Sequence, residues 1–405
     1  MRCSGPFSVG QTGRGRRVRA FLIAGEPSGD KLGGALMSGL KQLCPDMSFD
    51  GVGGSLMQAQ GLVSRFPMEE LSVMGIAEVL PRYFDLKRRI AEMAQAVLDT
   101  RPDVLITIDS PDFCLRVAKL VKAQSDIRTV HYVAPTVWAW RPGRASKMAH
   151  MIDHVLALFP FEPPYMEAAG MVCDFVGHPV VAEPVPSAED EAALRATFDL
   201  GDAPVMLALP GSRKSEVGRL APVFGEGLRR ALQNRPDMRV VVPAAEPVAD
   251  LVEHLVRDWP DRPIILRGGG TEEARRLKRG AFRAAEVALA ASGTVSLELA
   301  AAGTPMVIAY SFNWLSWQII SRMVRVDTAV MVNLVSETRA VPECLGPECT
   351  GSNIAAALAG VLSDPSAQQD AMRATMDRLG MGEEDPGLRA ARAVLNRLPG
   401  SPGTA

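Results

Sequence analysis

The chain has no cysteine pair at CxxC spacing, and Cys3, Cys44, Cys114, Cys173, Cys344 and Cys349 form no Cys/His pattern suited to zinc. This argues against a disulfide framework or a metal site and fits the reducing cytoplasm. Net charge is nearly absent: 44 Lys and Arg against 46 Asp and Glu leave a formal charge of -2, so no bulk field draws the protein toward nucleic acid. A long apolar run is also missing. The most apolar window, Val287 to Tyr310, contains Glu298 and is broken by Ser292, Gly293, Gly303 and Pro305, which argues against a membrane span. The first residues carry Arg2, Arg14, Arg16 and Arg17 without an apolar segment, against a secretory signal.

What is present is the material of a folded protein: 405 residues, 47% hydrophobic and 22% charged. That length exceeds the size at which one core keeps growing, so two domains are expected. Short β-rich runs alternate with amphipathic helical stretches: Val18 to Ala24, Ser48 to Val52, Val104 to Ile108, Thr129 to Val133 and Val155 to Phe159. After a segment rich in proline and acid, the alternation resumes at Val205 to Leu209, Arg239 to Val242, Ile264 to Leu266, Val287 to Ala290 and Met306 to Ala309. The pattern predicts an α/β protein of two Rossmann-like domains facing a cleft, with ligands at the carboxyl ends of the strands. The expected division is a disordered extension over 1–16, a first domain over 17–178, a linker over 179–191, a second domain over 192–352, C-terminal helices over 353–395 that can cross back to the first domain, and a disordered tail over 396–405.

The polar loops fall where such a fold needs them. Leu207-Ala-Leu-Pro-Gly-Ser-Arg-Lys-Ser-Glu216 runs from a strand through a turn into a helix beginning near Ser215. Its amides, with Ser212 and Arg213, suit a diphosphate; a capped helix start with a solvated arginine is the plainer reading. Ala291-Ser-Gly-Thr-Val-Ser-Leu-Glu298 also opens a helix, with Ser292, Gly293 and Thr294 at its start. Glu298, four residues beyond Thr294 on the same helical face, suits ribose hydroxyls, or is simply an exposed acid. No Asp-x-Asp metal dyad accompanies them, so leaving-group charge falls to Arg213 and the helix starts.

In the first half, Asp109 ends a buried strand and is a candidate general base, whereas Asp112 suits a helix cap. Glu26 and Asp30, on the first loop Gly25-Glu-Pro-Ser-Gly-Asp30, are rival bases, and spacing does not rank the three. That loop lacks the GxGxxG spacing and carries two acids, so it reads as acceptor side, with Glu26 and Ser28 orienting sugar hydroxyls. Trp138 and Trp140 can stack on sugar or cover core, and His178 takes no assignment. His150 and His154 stand at i, i+4 without an acidic third ligand, so neither is read as a metal site. Leu71-Ser-Val-Met74-Gly-Ile-Ala-Glu-Val-Leu80, followed by Arg82, Tyr83, Lys87, Arg88 and Arg89, is an apolar patch beside a basic cluster. It reads as lipid-facing or as an ordinary amphipathic helix.

These segments together resemble the lipid-A-disaccharide synthase family. The resemblance is carried by AGEPSGD at 24–30, LSVMGIAEVL at 71–80, IDSPDF at 108–113, HYVAPTVWAWRPGR at 131–144, FPFE at 159–162, VGHP at 176–179, LPGSRKSE at 209–216, ASGTVSLE at 291–298 and VPE at 341–343. It implies a GT-B type fold and an inverting, metal-independent transfer with no cofactor. Diacylglucosamine would pass from its UDP carrier to the 6-hydroxyl of diacylglucosamine 1-phosphate, giving a β-1,6 disaccharide and UDP. By the same resemblance Asp109 is the candidate base with Glu26 in reserve. Ser28, Asp30, Met74, Ser212, Arg213, Ser292, Gly293, Thr294, Glu298 and Asn333 would contact substrate. Peripheral contact with the cytoplasmic face of a Gram-negative inner membrane is expected, and a homodimer is allowed. Cys114, Ser311, Val332 and Gly346 depart from the family pattern. The rivals are a UDP-sugar epimerase of the same fold and a noncatalytic lipid or nucleotide carrier.

Overall fold

The structure, a computed structural model, describes residues 18–71, 76–141, 143–312, 317–318, 322–323 and 326–398. The chain divides into two compact units, the first comprising 1–179 and 384–405, the second 180–383.

The first unit is built on six parallel strands: β1 Arg19–Ala24, β2 Ser48–Val52, β3 Val104–Ile108, β4 Arg128–Tyr132, β5 His154–Ala157 and β6 Val172–Phe175, in the order β2-β1-β3-β4-β5-β6. Interleaved with them are α1 Pro27–Leu43, α2 Ser55–Ala59, α3 Ile76–Thr100, α4 Pro111–Lys122, α5 Gly143–Met148 and α6 Pro163–Glu167. β3 is buried along its whole length, as a strand covered on both faces must be, which is why Val-Leu-Ile-Thr-Ile reads as a continuous apolar run. The chain leaves β1 toward β2 and then returns across β1 to β3. Strand order therefore reverses between β1 and β3, and their register, Ala24 opposite Ile108, sets Gly25 beside Asp109.

The second unit repeats the plan with β7 Val205–Leu209, β8 Arg239–Ala244, β9 Ile264–Arg267, β10 Ala285–Ala291, β11 Met306–Tyr310 and β12 Glu343–Leu345, in the order β12-β11-β10-β7-β8-β9. Its helices include α7 Ala188–Thr197, α8 Lys214–Ala231, α9 Ala249–Val256, α10 Glu272–Ala284 and α11 Val295–Ala302. Here the order reverses between β7 and β10, with Leu209 opposite Ala290.

The divisions differ in two places from those expected of the sequence. The stretch 179–191, expected as a linker, contains the short helical turn Pro179–Ala182 and the start of α7. Ser187 caps α7 through Asp190 N at 3.1 Å while the Asp190 carboxylate accepts from Ser187 N at 3.0 Å, and Arg279 of α10 holds that same carboxylate at 3.1 Å. Of the residues read as C-terminal helices, Gly351–Ser363 and Ser366–Arg378 belong to the second unit. There Gln368 pairs with both backbone groups of Met306 at 2.9 Å, a side-chain substitute for a strand neighbour. The last helix, Pro386–Leu395, lies in the first unit, and Leu398, read as disordered tail, is buried beside it. β12 was not anticipated, because Glu-Cys-Leu is short and carries an acid.

The last helix meets α1 backbone to backbone. A Cβ on Gly39 would lie 2.7 Å from Gly387 O, and one on Gly387 would lie 2.7 Å from Ala35 O. Gly39→Ala should therefore lower the unfolding free energy by about 1–3 kcal/mol through overpacking. In a freely solvated helix the same change would gain roughly 1 kcal/mol. Urea unfolding curves with the variant's midpoint below that of the wild type are the expected result.

Candidate active site

The second unit contains a cavity of about 540 Å3 at its reversal of strand order, walled by the loops that leave β7, β8, β9 and β10. Gly211, Ser212, Arg213 and Glu216 supply one side, and Ser292, Gly293, Thr294 and Glu298 another. Gly211 has φ +122° and a Cβ there would meet Glu216 Cβ at 2.8 Å, so the turn requires glycine. A Cβ on Gly293 would meet nothing within 4 Å, which leaves its backbone open to the cavity. Ser212 N donates to Glu216 Oε2 at 3.4 Å and Arg213 Nη1 to Glu216 Oε1 at 3.3 Å, while Ser292 Oγ donates to Ala329 O at 3.2 Å. Thr294 stands at the N-cap of α11 without a side-chain cap bond, and its exposed hydroxyl remains available. Four cations line this space, Arg213, Arg267, Arg275 and Lys278. An apolar cavity with convergent cationic groups and two helix starts has the chemistry to receive an anion, in a chain whose net charge supplies no bulk attraction. Arg267, Arg275, Lys278 and Glu216 escaped the sequence reading, although Arg275 and Lys278 share a helical face at i, i+3.

In the first unit, Asp109 and Ser110 follow β3 with φ of +51° and +42°, two consecutive left-handed residues that are not glycine. Such backbone costs of order 1–2 kcal/mol per residue. Asp109 N donates to Tyr132 O at 3.0 Å, and Ser28 Oγ donates to Asp109 Oδ2 at 3.4 Å. Gly25 accommodates the Ser110 hydroxyl, which a Cβ would approach to 2.7 Å, and that buried oxygen has no hydrogen-bond partner among the described residues. Glu26 is the half-buried N-cap residue of α1 and caps nothing with its side chain. The structure thus brings Ser28 and Asp109 together, with Gly25 and Ser110 packed behind them.

Two expected substrate contacts are internal instead. Asp30 is 4% exposed and its carboxylate accepts from Gly54 N, Leu56 N and Met57 N at 2.9–3.0 Å, so it holds the start of α2 rather than a sugar or a proton. Asn333 is 0% exposed: its amide donates to Val341 O at 2.9 Å, Glu343 Oε1 at 3.1 Å and Thr328 Oγ1 at 3.3 Å, and its oxygen accepts from Val341 N at 3.0 Å. It acts from behind the cavity wall, since Glu343 in turn accepts from Ala329 N, whose carbonyl receives Ser292. Met74 and the other side chains of 72–83 lie outside the described residues. Of the basic cluster beyond them, Arg88 pairs with Asp85 and Glu92, and Arg89 with Glu70 and Glu92. Trp138 is buried; Trp140 is 38% exposed, with Arg141 stacked 4.5 Å from its ring centroid. His154 is buried against Asp174 at 2.9 Å, and His150 is exposed. Among the described residues no group of three or more His, Cys, Asp or Glu could hold a metal ion, and no helix is long and apolar enough to cross a membrane.

Two parallel α/β units with polar loops at both reversals of strand order define the GT-B-like fold class. Solved structures agree on the fold. The chain superposes on a UDP-GlcNAc 2-epimerase from Neisseria meningitidis bound to UDP-GlcNAc with a TM-score of 0.62 at 11% identity, covering 94% of this chain and 99% of that one. Against MurG from Acinetobacter baumannii the TM-score is 0.51 at 14% identity, covering 94% and 100%. Sequence decides the family. The lipid-A-disaccharide synthetase family model matches residues 20–393. A lipid-A-disaccharide synthase from Ruegeria pomeroyi is 68% identical over 402 residues, covering 99% of this chain and all of the relative. One from Rhodospirillum centenum is 47% identical over 381 residues, covering 93% and 94%.

The chain belongs to the lipid-A-disaccharide synthase family. It is a glycosyltransferase that moves 2,3-diacylglucosamine from UDP to the 6-hydroxyl of 2,3-diacylglucosamine 1-phosphate, forming the β-1,6 lipid A disaccharide. The epimerase reading shares only the fold with its namesakes, and the family match also displaces the carrier reading.

One titrating cluster in the first unit was unforeseen. Glu162 is 2% exposed and accepts from Trp138 Nε1 at 3.3 Å, Leu158 N at 3.1 Å and Phe159 N at 3.0 Å. Burial outweighs these bonds and pushes its carboxyl from an ordinary 4.5 up to about 7. Phe159 also packs against His178, whose imidazole burial and the Lys31 charge push down to about 4. A raised folded-state acid stabilises fully below its unfolded value and loses that contribution as pH rises through about 7. Glu162→Gln removes this dependence. Between about pH 4.5 and about pH 8, the variant's unfolding free energy should gain about 3 kcal/mol on the wild type's. Denaturant melts at both pH values check the difference, and parallel curves would exclude Glu162 as its source.

Proposed function

We propose that Asp109 is the general base of the transfer and that the cavity of the second unit holds the UDP of the donor. The observation that carries the first assignment is the left-handed pair Asp109–Ser110 at the reversal of strand order. Backbone strain held at a ligand-binding edge is best accounted for by the need to aim a side chain. Asp109 takes the proton of the acceptor's 6-hydroxyl, whose oxygen attacks the anomeric carbon. The bond from that carbon to the phosphate oxygen breaks and its electron pair leaves with UDP, inverting the centre in one displacement. Ser28, which hydrogen-bonds Asp109, orients the acceptor, and Glu26 on the same loop stands as the reserve base.

The departing diphosphate is met by Arg213, Ser212 and the start of α8 on one side and by Ser292, Gly293 and Thr294 at the start of α11 on the other. Glu298 accepts from the ribose hydroxyls. In this reading charge stabilisation comes from the protein, and no metal or cofactor is required. The segment 71–80 with Met74, followed by the 80% exposed Phe84, docks on the cytoplasmic face of the inner membrane and admits acyl chains. A homodimer is compatible with the reading.

Turnover measured with both lipids and with chelator added should persist, and either lipid by itself should release no UDP. Asp109→Asn should bind UDP as the wild type does and lose roughly 10²–10⁴-fold in kcat, the range of a general base. Full turnover in that variant would move the role to Glu26.

A further inference from the structure

On α10, Arg275, Lys278 and Arg279 follow one another at i, i+3 and i+4 and so share a face. Their partners differ. Arg279 binds Asp190 and Glu272, and Arg275 binds Glu272 and the carbonyl of Gly270. Lys278 reaches the next helix instead, with Nζ 2.6 Å from Glu298 Oε2 and 5.2 Å from the centroid of the Phe282 ring. Both Lys278 and Glu298 line the cavity, with side chains 45% and 33% exposed.

The pairing has two physical consequences. A carboxylate that accepts from a sugar diol must present a fixed oxygen, and Lys278 fixes Glu298 by one of its two. The other, Oε1, makes no hydrogen bond among the described residues. A carboxylate on the wall of a diphosphate site also repels the ligand it helps to bind, and an ammonium beside it cancels that charge. While the site is open to solvent the ion pair contributes little. A nucleotide that covers it removes that solvent and strengthens both effects.

We infer that Lys278 is a positioning residue for the donor nucleotide, holding Glu298 so that its free oxygen receives the ribose hydroxyls while offsetting its charge against the diphosphate. The inference rests on the assignment of ribose to Glu298. Lys278 does not touch the reacting atoms, so its loss raises the donor KM and leaves kcat within about twofold, the pattern of lost uniform binding.

The test compares binding of UDP and 2′-deoxy-UDP to the full chain by calorimetry, with donor kinetics alongside. The wild type should prefer UDP by about tenfold, the worth of a charged hydrogen bond. Lys278→Met, which keeps the apolar stem and the helix, should weaken UDP binding about tenfold and compress the preference below about threefold. Lys278→Arg should restore most of it. A structural role for Lys278 would weaken both nucleotides equally, so an unchanged preference in Lys278→Met overturns the inference. Glu298→Gln separates the two levels. A preference that collapses in this variant but survives in Lys278→Met removes the lysine's role and keeps the ribose assignment. A preference that survives in both removes the ribose assignment and the inference with it.

Discussion

The structure depends on the parallel pairing of non-consecutive strands, β1 with β3 and β7 with β10. Each pairing arises because the chain builds outward on one side of its first strand and then crosses back to the other. Two loops that leave the carboxyl ends of such strands diverge to opposite faces of the sheet, and the gap between them is open to a ligand. In the first unit those loops begin at Gly25 and Asp109; in the second, at Pro210 and Ser292. Every group assigned above to proton transfer or diphosphate binding stands on one of these four loops or on the first turns that follow them.

The two reversals differ in the charged groups they gather. Around the first stand Glu26, Asp109 and Asp112, with the Ser28 hydroxyl on Asp109. Around the second stand Arg213, Arg267, Arg275 and Lys278, with Glu216 and Glu298 among them. In the proposed reaction the first set offers a base for a neutral hydroxyl, and Arg213 in the second faces the departing diphosphate. The cations are themselves restrained. Arg213 is held by Glu216, Lys278 by Glu298, and Arg267 by Asp250 and Glu253. In the proposed reaction Arg213, held in this way, need not reorganise as the leaving group develops.

Most of the fold was legible because buried parallel strands announce themselves as unbroken apolar runs, and both switch-point loops were legible because glycine, serine and acid cannot continue such runs. What failed was direction. Asp30 looks like any strand-end acid in sequence, yet its position in the first turn of α1 turns it toward the amides of α2. Asn333 was given a substrate contact by motif, but four hydrogen bonds inside the second unit take up its amide. Lys278 was missed for the converse reason. It lies in a basic helix whose solvated appearance gives no sign that one member crosses to Glu298, because that contact joins residues twenty apart across two helices.

The left-handed pair at Asp109 and Ser110 shows how the strain is carried. Neither residue gains the freedom of glycine, and Ser110 also buries a hydroxyl that has no partner among the described residues. Both costs are borne by what surrounds them: five fully buried residues of β3, the hydrogen bond from Asp109 N to Tyr132 O, and the α4 helix that begins at Pro111. Pro111 prearranges that helix start, so the turn must be completed within the two residues that precede it. Gly25, packed against Ser110 across the reversal, leaves room for this conformation, since a Cβ there would strike the serine oxygen. The glycine of the first loop thus serves the aspartate of the second. That explains why a glycine-bearing loop at the end of β1 need not be a phosphate site: its missing side chain makes room for a backbone bend, and the bend places the carboxylate proposed as the base.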